Sequence, residues 1–244
     1  DLEVSYNDKL LAYSLDLKGS EYYTIHIRDI KSREQVSEKI ENTSGGITFS
    51  LDDKYIFYSK LDENHRPREI YRHEIGTPTS KDILIFKEES EAFTVGIGLS
   101  SDEKYFFITS SDHNTSEQYY FKADEIIPKP KLIDKRKRGI IYSVNSWNGN
   151  FYKHTNEDAE DFKIEKTNDL EKKEWETFIP AREEVLIGGL IFLNDWIIRS
   201  ETSNALSKLI LRNPKNNEEE EIFFSDEKVI VPGVSLTQRN RNTA

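Results

Sequence analysis

The sequence predicts an all-β fold, a β-propeller built from four-stranded antiparallel blades, and three observations predict it. The first is a phrase that returns at a near-constant interval. It reads Asp8-Lys9-Leu10-Leu11-Ala12-Tyr13, then Asp53-Lys54-Tyr55-Ile56-Phe57-Tyr58, then Glu103-Lys104-Tyr105-Phe106-Phe107-Ile108, with weaker copies at Gly149-Asn150-Phe151-Tyr152 and Asn194-Asp195-Trp196-Ile197-Ile198. The steps are Lys9 to Lys54 (45), Lys54 to Lys104 (50), Lys104 to Asn150 (46) and Asn150 to Asp195 (45). Internal repeats of this length mark solenoids and propellers. The second observation is that the apolar runs alternate with a period of two, the mark of strands rather than helices. The third is a glycine-rich run before most phrases, as in Gly45-Gly46-Ile47, Val95-Gly96-Ile97-Gly98 and Ile187-Gly188-Gly189. The inner strands of a ring of sheets crowd around its axis, and glycine permits that close approach.

Each repeat justifies four strands in the same order. The glycine-rich run supplies the innermost strand; Pro232-Gly233-Val234 fits this place, and Gly139-Ile140-Ile141-Tyr142-Ser143-Val144 fills it with less glycine. The recurring phrase supplies a polar turn and the second strand, since Asp, Asn and Ser side chains bond nearby backbone and Tyr, Phe and Ile suit a pleated surface. The third strands are Tyr23-Thr24-Ile25-His26-Ile27-Arg28, Glu69-Ile70-Tyr71-Arg72-His73, Gln118-Tyr119-Tyr120-Phe121, Asp161-Phe162-Lys163-Ile164 and Lys208-Leu209-Ile210-Leu211. Outer strands follow at Ile83-Leu84-Ile85-Phe86, Lys131-Leu132-Ile133, Thr177-Phe178-Ile179 and Ile222-Phe223-Phe224. Four strands in about 45 residues is a propeller blade. Five blades are expected, at residues 2–40, 46–87, 93–134, 139–180 and 185–225, with the first strand of a sixth at 229–236. A β-sandwich of unrelated hairpins would not keep four strand positions in phase over five copies.

Charge and composition exclude several function classes. The 244 residues carry 34 basic and 45 acidic side chains, a net charge of −11, which disfavours nucleic acid and anionic membrane as partners. The basic run Lys135-Arg136-Lys137-Arg138 lies between two strand signals and reads as a solvated loop, and the acidic residues 218–221 read as a solvated turn. There is no cysteine and hence no disulfide framework. The apolar run at 185–193 is too short to span a bilayer, and no signal peptide is visible. The sequence contains no methionine, which suggests a fragment, a processed product or a sequence from which selenomethionines have been dropped. Asn42-Thr43-Ser44 and Asn114-Thr115-Ser116 match the glycosylation sequon, a triplet common by chance.

A search for chemistry finds no Gly-x-Ser-x-Gly elbow, no zinc-like His/Cys spacing and no phosphate-binding loop. Histidines 26, 65, 73, 113 and 154 are scattered, and the equivalent blade positions of His26 and His73 favour a structural role. Serine, histidine and aspartate are plentiful, but coexistence does not make a triad. No catalytic residue, metal or cofactor is expected from these residues.

Several phrases carry a family resemblance. Asp8-Lys9-Leu10-Leu11-Ala12-Tyr13-Ser14-Leu15-Asp16 with Gly19-Ser20-Glu21-Tyr22-Tyr23, Glu41-Asn42-Thr43-Ser44-Gly45-Gly46, Leu61-Asp62-Glu63-Asn64-His65-Arg66-Pro67, Asp112-His113-Asn114-Thr115-Ser116-Glu117 and Thr155-Asn156-Glu157-Asp158-Ala159-Glu160-Asp161-Phe162 occur in order. Together they resemble the propeller of oligopeptidase B, or protease II, in the prolyl oligopeptidase family of serine peptidases. The family's Ser-Pro-Asp-Gly turn appears here as Ser5-Tyr6-Asn7-Asp8 and Ser50-Leu51-Asp52-Asp53. The resemblance implies a seven-bladed parent of which this chain holds about five blades, with the nucleophile, histidine and acid on an α/β-hydrolase domain that has no matching position here. It also implies a cytoplasmic peptidase cleaving short peptides after Arg or Lys, in which the propeller gates and selects substrate while the chain alone is inactive.

On that reading the loops 62–66, 113–117 and 157–161 share one rim facing the hydrolase domain or channel. Asp62, Asn64, Arg66, His113, Thr115, Glu117, Glu160 and Asp161 are the candidate binding residues. Their competing reading is ordinary turn bonding, since surface loops connect as well as bind. Expected partners are the parent's own hydrolase domain and short peptides, with self-association of the open fragment through its uncovered blade faces. The alternative function is a non-enzymatic, TolB-like propeller that binds proteins.

Overall fold

A computed structural model describes residues 1–125 and 127–222, and it contains 19 strands with a single 3-10 turn, Thr79–Lys81, among those residues. The strands are β1 (Leu2–Val4), β2 (Leu10–Leu15), β3 (Tyr23–Asp29), β4 (Ile40–Phe49), β5 (Tyr55–Leu61), β6 (Pro67–Glu74), β7 (Ile83–Lys87), β8 (Thr94–Leu99), β9 (Tyr105–Ser111) and β10 (Ser116–Lys122). They continue as β11 (Lys131–Leu132), β12 (Tyr142–Trp147), β13 (Asn150–Thr155), β14 (Lys163–Thr167), β15 (Glu176–Ile179), β16 (Leu186–Phe192), β17 (Ile197–Ser203), β18 (Leu206–Arg212) and β19 (Glu219–Glu221). Each sheet is an antiparallel meander in sequence order, as a propeller blade requires: β8 to β11, β12 to β15 and β16 to β19 form separate four-stranded sheets.

The first two repeats are joined. Strand β4 pairs with β3 through Tyr23↔Thr43 and Ile25↔Ile40, then with β5 through Ile47↔Tyr58 to Phe49↔Ile56, so β1 to β7 form one seven-stranded sheet. The outer strand of one repeat thus runs directly into the inner strand of the next. The fourth repeat differs in position from expectation at two strands: its third strand is Lys163–Thr167, with Asp161 and Phe162 in the turn before it. The inner strand of the fourth repeat is Tyr142–Trp147, because Gly139 takes φ +80° and residues 139–141 belong to the connector. In the fifth repeat the outer strand already includes Glu219–Glu221, and Ile222 N–H continues its pairing to Leu209 O at 2.9 Å, so the acidic residues expected as a solvated turn are partly a strand; Glu219 pairs with Arg199 and Arg212, and Glu221 with Lys208. Phe223, Phe224 and the strand expected at 229–236 lie outside the described residues.

The core lies between sheets, which explains why both faces of the period-two pattern are apolar. Ile56 and Tyr58 face the first repeat and pack with Ile25, Ile27 and Phe49. The intervening Phe57 faces the other way, onto Phe106, Ile108 and Phe121 of the third repeat. Phe107, between two residues of that group, packs with Tyr142, Val144 and Phe151 of the fourth repeat. Trp147, Tyr152 and Ile164 continue the series against Ile187, Phe192 and Ile197 of the fifth. Burying each such side chain is worth about 1.5–3 kcal/mol.

The recurring polar phrase is a turn built on serine. Ser50 Oγ donates to Asp52 Oδ1 at 2.7 Å and accepts from Tyr55 N–H at 3.0 Å, while Asp53 takes φ +57°. Ser5–Asn7 and Ser100–Asp102 repeat the Oγ to Oδ1 bond at 2.9 Å, with Asp8 and Glu103 at φ +59° and +58°. Adjacent turns are tied together: Asp53 accepts from the N–H groups of Tyr6 and Asn7 at 2.6 and 2.8 Å, and Ser146 Oγ donates to Asp102 at 2.9 Å.

Candidate functional site

The antiparallel order places the turns β5–β6, β9–β10 and β13–β14 at the end of the blades opposite the serine turns. The connectors leading into each next repeat return to that same end. Each turn bonds to the connector or to the start of the inner strand of the next repeat. Arg66 Nη2 donates to Ala92 O at 3.0 Å, Gly139 N–H donates to Thr115 Oγ1 at 3.1 Å, and Ile187 N–H donates to Asp161 O at 2.9 Å. The three loops singled out from the sequence therefore lie on one rim.

The eight candidate side chains divide by burial. Asn64, His113 and Glu160 are exposed, and Asp62, Arg66 and Asp161 are half-buried. Asp62 closes its own turn, accepting from Asn64 and Arg66 N–H at 2.8 and 3.0 Å. Thr115 and Glu117 are each only 4% exposed and hold the rim together. Asn64, His113 and Glu160 lie on the surface of the rim, and His65 beside Asn64 packs its ring on Tyr22 at 4.1 Å.

A second set of residues carries the electrostatics of this rim. Arg136 does not behave as part of a solvated basic loop. Its Nη2 donates to Glu88 Oε2 at 2.6 Å and to Glu117 Oε1 at 3.1 Å, its backbone N–H donates to Glu117 Oε2 at 2.8 Å, and its guanidinium lies 4.0 Å over the Phe93 ring. Lys135, Lys137 and Arg138 remain exposed, so the expectation fails at one residue of four. The reason is that two buried carboxylates from neighbouring repeats need a shared cation, and a buried charge persists only when paired. Ser110 Oγ donates to Glu88 and Tyr119 OH to Glu117, at 2.5 and 2.7 Å. Burial pushes the Glu88 carboxyl up, but Ser110, the Ser90 N–H and Arg136 outweigh it and hold the group below its ordinary value. Glu117 is likewise lowered against its burial, by the Arg136 N–H, Tyr119 and the Arg136 guanidinium.

Next to this network is a recess of about 270 Å³ bordered by Asp134, Lys137, Tyr142, Lys153, Glu157 and Trp175. Lys153 is 5% exposed; its ammonium contacts Glu165 at 2.8 Å and Asp134 at 3.6 Å, and lies 4.4 Å over the Trp175 ring. Lys137 pairs with Glu157 beside it. Neither Arg136 nor Lys153 stood out in the sequence, because the partners that draw them inward lie up to 48 residues away. Among the described residues, no group of three or more His, Asp or Glu side chains is arranged to hold a metal ion, and no helix is long and apolar enough to cross a membrane.

Comparison with known proteins follows the same outline. The family model described as the prolyl oligopeptidase N-terminal beta-propeller domain matches residues 1–243. Protease 2 of Moraxella lacunata is 33% identical over 193 residues, 73% of this chain and 28% of that protein. Dipeptidyl aminopeptidase BI of Pseudoxanthomonas mexicana is 28% identical over 86% of this chain and 29% of its own length. Among solved structures, oligopeptidase B from Leishmania major superposes with a TM-score of 0.85 at 20% identity, covering 93% of this chain and 34% of that one. Oligopeptidase B from Trypanosoma brucei gives 0.84 at 24% identity, over 93% and 33%. The chain thus spans about a third of the length of the proteins it matches.

Proposed function

The chain belongs to the prolyl oligopeptidase family, as its N-terminal β-propeller domain, and from that premise we propose that it gates and selects substrate for a serine oligopeptidase that cleaves short peptides after Arg or Lys. The observation that carries the reading is the rim on which turns and connectors of successive repeats are cross-braced, with Asn64, His113 and Glu160 left exposed. Such a rim suits polar, reversible contact with a second domain, as interdomain surfaces usually do. Closure of ring against hydrolase excludes water and bulky substrates from a cleft between them. The partners on this reading are the parent's own α/β-hydrolase domain and the peptide, and the setting is cytoplasmic. The preference for Arg or Lys rests on the resemblance of the ordered phrases at residues 8–23, 41–46, 61–67, 112–117 and 155–162 to oligopeptidase B. The family match over residues 1–243 favours the peptidase reading over a TolB-like binding module. The eight candidate residues act as rim contacts, Thr115 and Glu117 by holding it and the exposed ones by touching the partner.

The test is kcat/KM of the full-length protein on fluorogenic peptides ending in Arg, Lys or Pro before the reporter. Arg and Lys substrates are expected to lead, with turnover abolished by a serine-directed inhibitor. A preference for Pro, or no hydrolysis of any of the three, would overturn the assignment.

A further inference from the structure

At the end of the blades opposite the rim, three side chains from separate segments form an ordered hydrogen-bond chain. Ser37 lies in the loop between β3 and β4, His73 near the end of β6, and Asp82 just before β7. Ser37 Oγ is 2.5 Å from His73 Nε2, and His73 Nδ1 is 2.7 Å from Asp82 Oδ1. Tyr58 OH donates to the other Asp82 oxygen at 2.8 Å, and Gly76 N–H donates to Ser37 Oγ at 3.3 Å. Proton positions follow from the donor inventory. In the neutral imidazole Nδ1–H donates to Asp82 and Nε2 accepts, so the Ser37 hydroxyl donates to Nε2 while accepting from Gly76. His73 is fully buried and the Asp82 side chain is 4% exposed, so neither exchanges its partner for water. Ser37 itself is half-buried and borders an open groove of about 310 Å³ with Gln35, Glu38, Gly76, Thr77 and Pro78.

We infer that Ser37 is an activated nucleophile, with His73 as its base and Asp82 as the positioning residue, and that it accepts small acyl groups from carboxylic esters. A nucleophile bonded to a base that a third group orients is the arrangement that activates serine on unrelated folds. In the step, Ser37 Oγ bonds to the acyl carbon while its proton passes to His73 Nε2. The bond from acyl carbon to leaving oxygen then breaks, and the proton moves from Nε2 to that oxygen. Asp82 stabilises the imidazolium in between. Gly76 N–H is bonded to Oγ itself rather than directed at an acyl oxygen, so stoichiometric acylation is expected rather than rapid turnover. The inference does not depend on the peptidase reading.

An alkyl fluorophosphonate, whose P–F bond breaks in the same displacement, is the probe. The full-length protein is labelled and digested with trypsin, and the peptide spanning residues 34–39 contains Ser37 as its one serine. Ser37 is expected to label at least about tenfold faster than the exposed Ser32 and Ser80, and Asp82→Asn to slow it by at least about tenfold by misplacing the imidazole proton. Labelling of Ser37 no faster than of Ser80 would overturn the inference. So would an unchanged rate in a folded Asp82→Asn protein, since a purely structural brace predicts that result. If Asp82→Asn fails to fold, the comparison of serines in the unaltered protein decides alone.

Discussion

At the scale of single residues, the rim depends on Arg136, which neutralises two buried carboxylates of neighbouring repeats. Removing one partner from such a cluster strands the others, at a cost of about 3–5 kcal/mol. Arg136→Met is therefore expected to lower the unfolding free energy at pH 7 by about 3 kcal/mol, read by urea denaturation. The pH dependence has a definite sign. Glu88 and Glu117 are held below their ordinary values in the folded protein, so their contribution is present above the ordinary carboxylate range of about 4.3. It is lost as pH falls through the lowered values. The gap between Arg136→Met and the unaltered protein should accordingly shrink on acidification to about pH 3, where the carboxylates are increasingly protonated. A gap that stays constant between the two pH values would show that the carboxylates are not what Arg136 stabilises.

At the scale of the element, a blade strand serves two cores at once. Phe106 is fully buried between the second and third repeats, with its ring 4.7 Å from Phe57 and 5.2 Å from Phe121. Phe106→Ala is expected to cost about 3–5 kcal/mol through lost transfer energy and the cavity left behind. Thermal unfolding followed by circular dichroism checks this, and a loss below about 1 kcal/mol would mean that the repeats do not pack as described. Elements were the most legible level of the sequence. The aromatic and branched apolar run Tyr55-Ile56-Phe57-Tyr58 and the Ser50-x-Asp52 turn are local signals, and they fix strand and turn without reference to distant residues. The merging of the first two repeats was not legible, since it depends on Ile40 and Thr43 finding β3 across a loop. The candidate site was half legible. The loops could be assigned to one rim from their equivalent places, whereas the inward turn of Arg136 and the meeting of Ser37, His73 and Asp82 depend on contacts 48, 36 and 9 residues apart. Spacing of that kind has no local pattern to betray it, and an arginine inside a basic run looks like its solvated neighbours.

At the scale of the whole molecule, successive sheets cover one another's faces, and the first and last sheets expose leucines: Leu2 is 62% exposed, Leu186 45% and Leu206 67%. The isolated 244-residue chain is therefore expected to self-associate through such faces, with two-fold dimers the commonest closed assembly. Light scattering over a dilution series tests this, and a strictly monomeric, folded species at every concentration would argue instead for ring closure. The proposed function has the propeller limit what reaches a catalytic domain. It is tested most directly with the full-length protein and a ladder of unstructured peptides, each containing one Arg, whose lengths run from about 5 to about 100 residues, the latter comparable to a small domain. Gating predicts that kcat/KM falls steeply along the ladder while the cleaved bond stays the same. Undiminished cleavage of the longest peptides would contradict it.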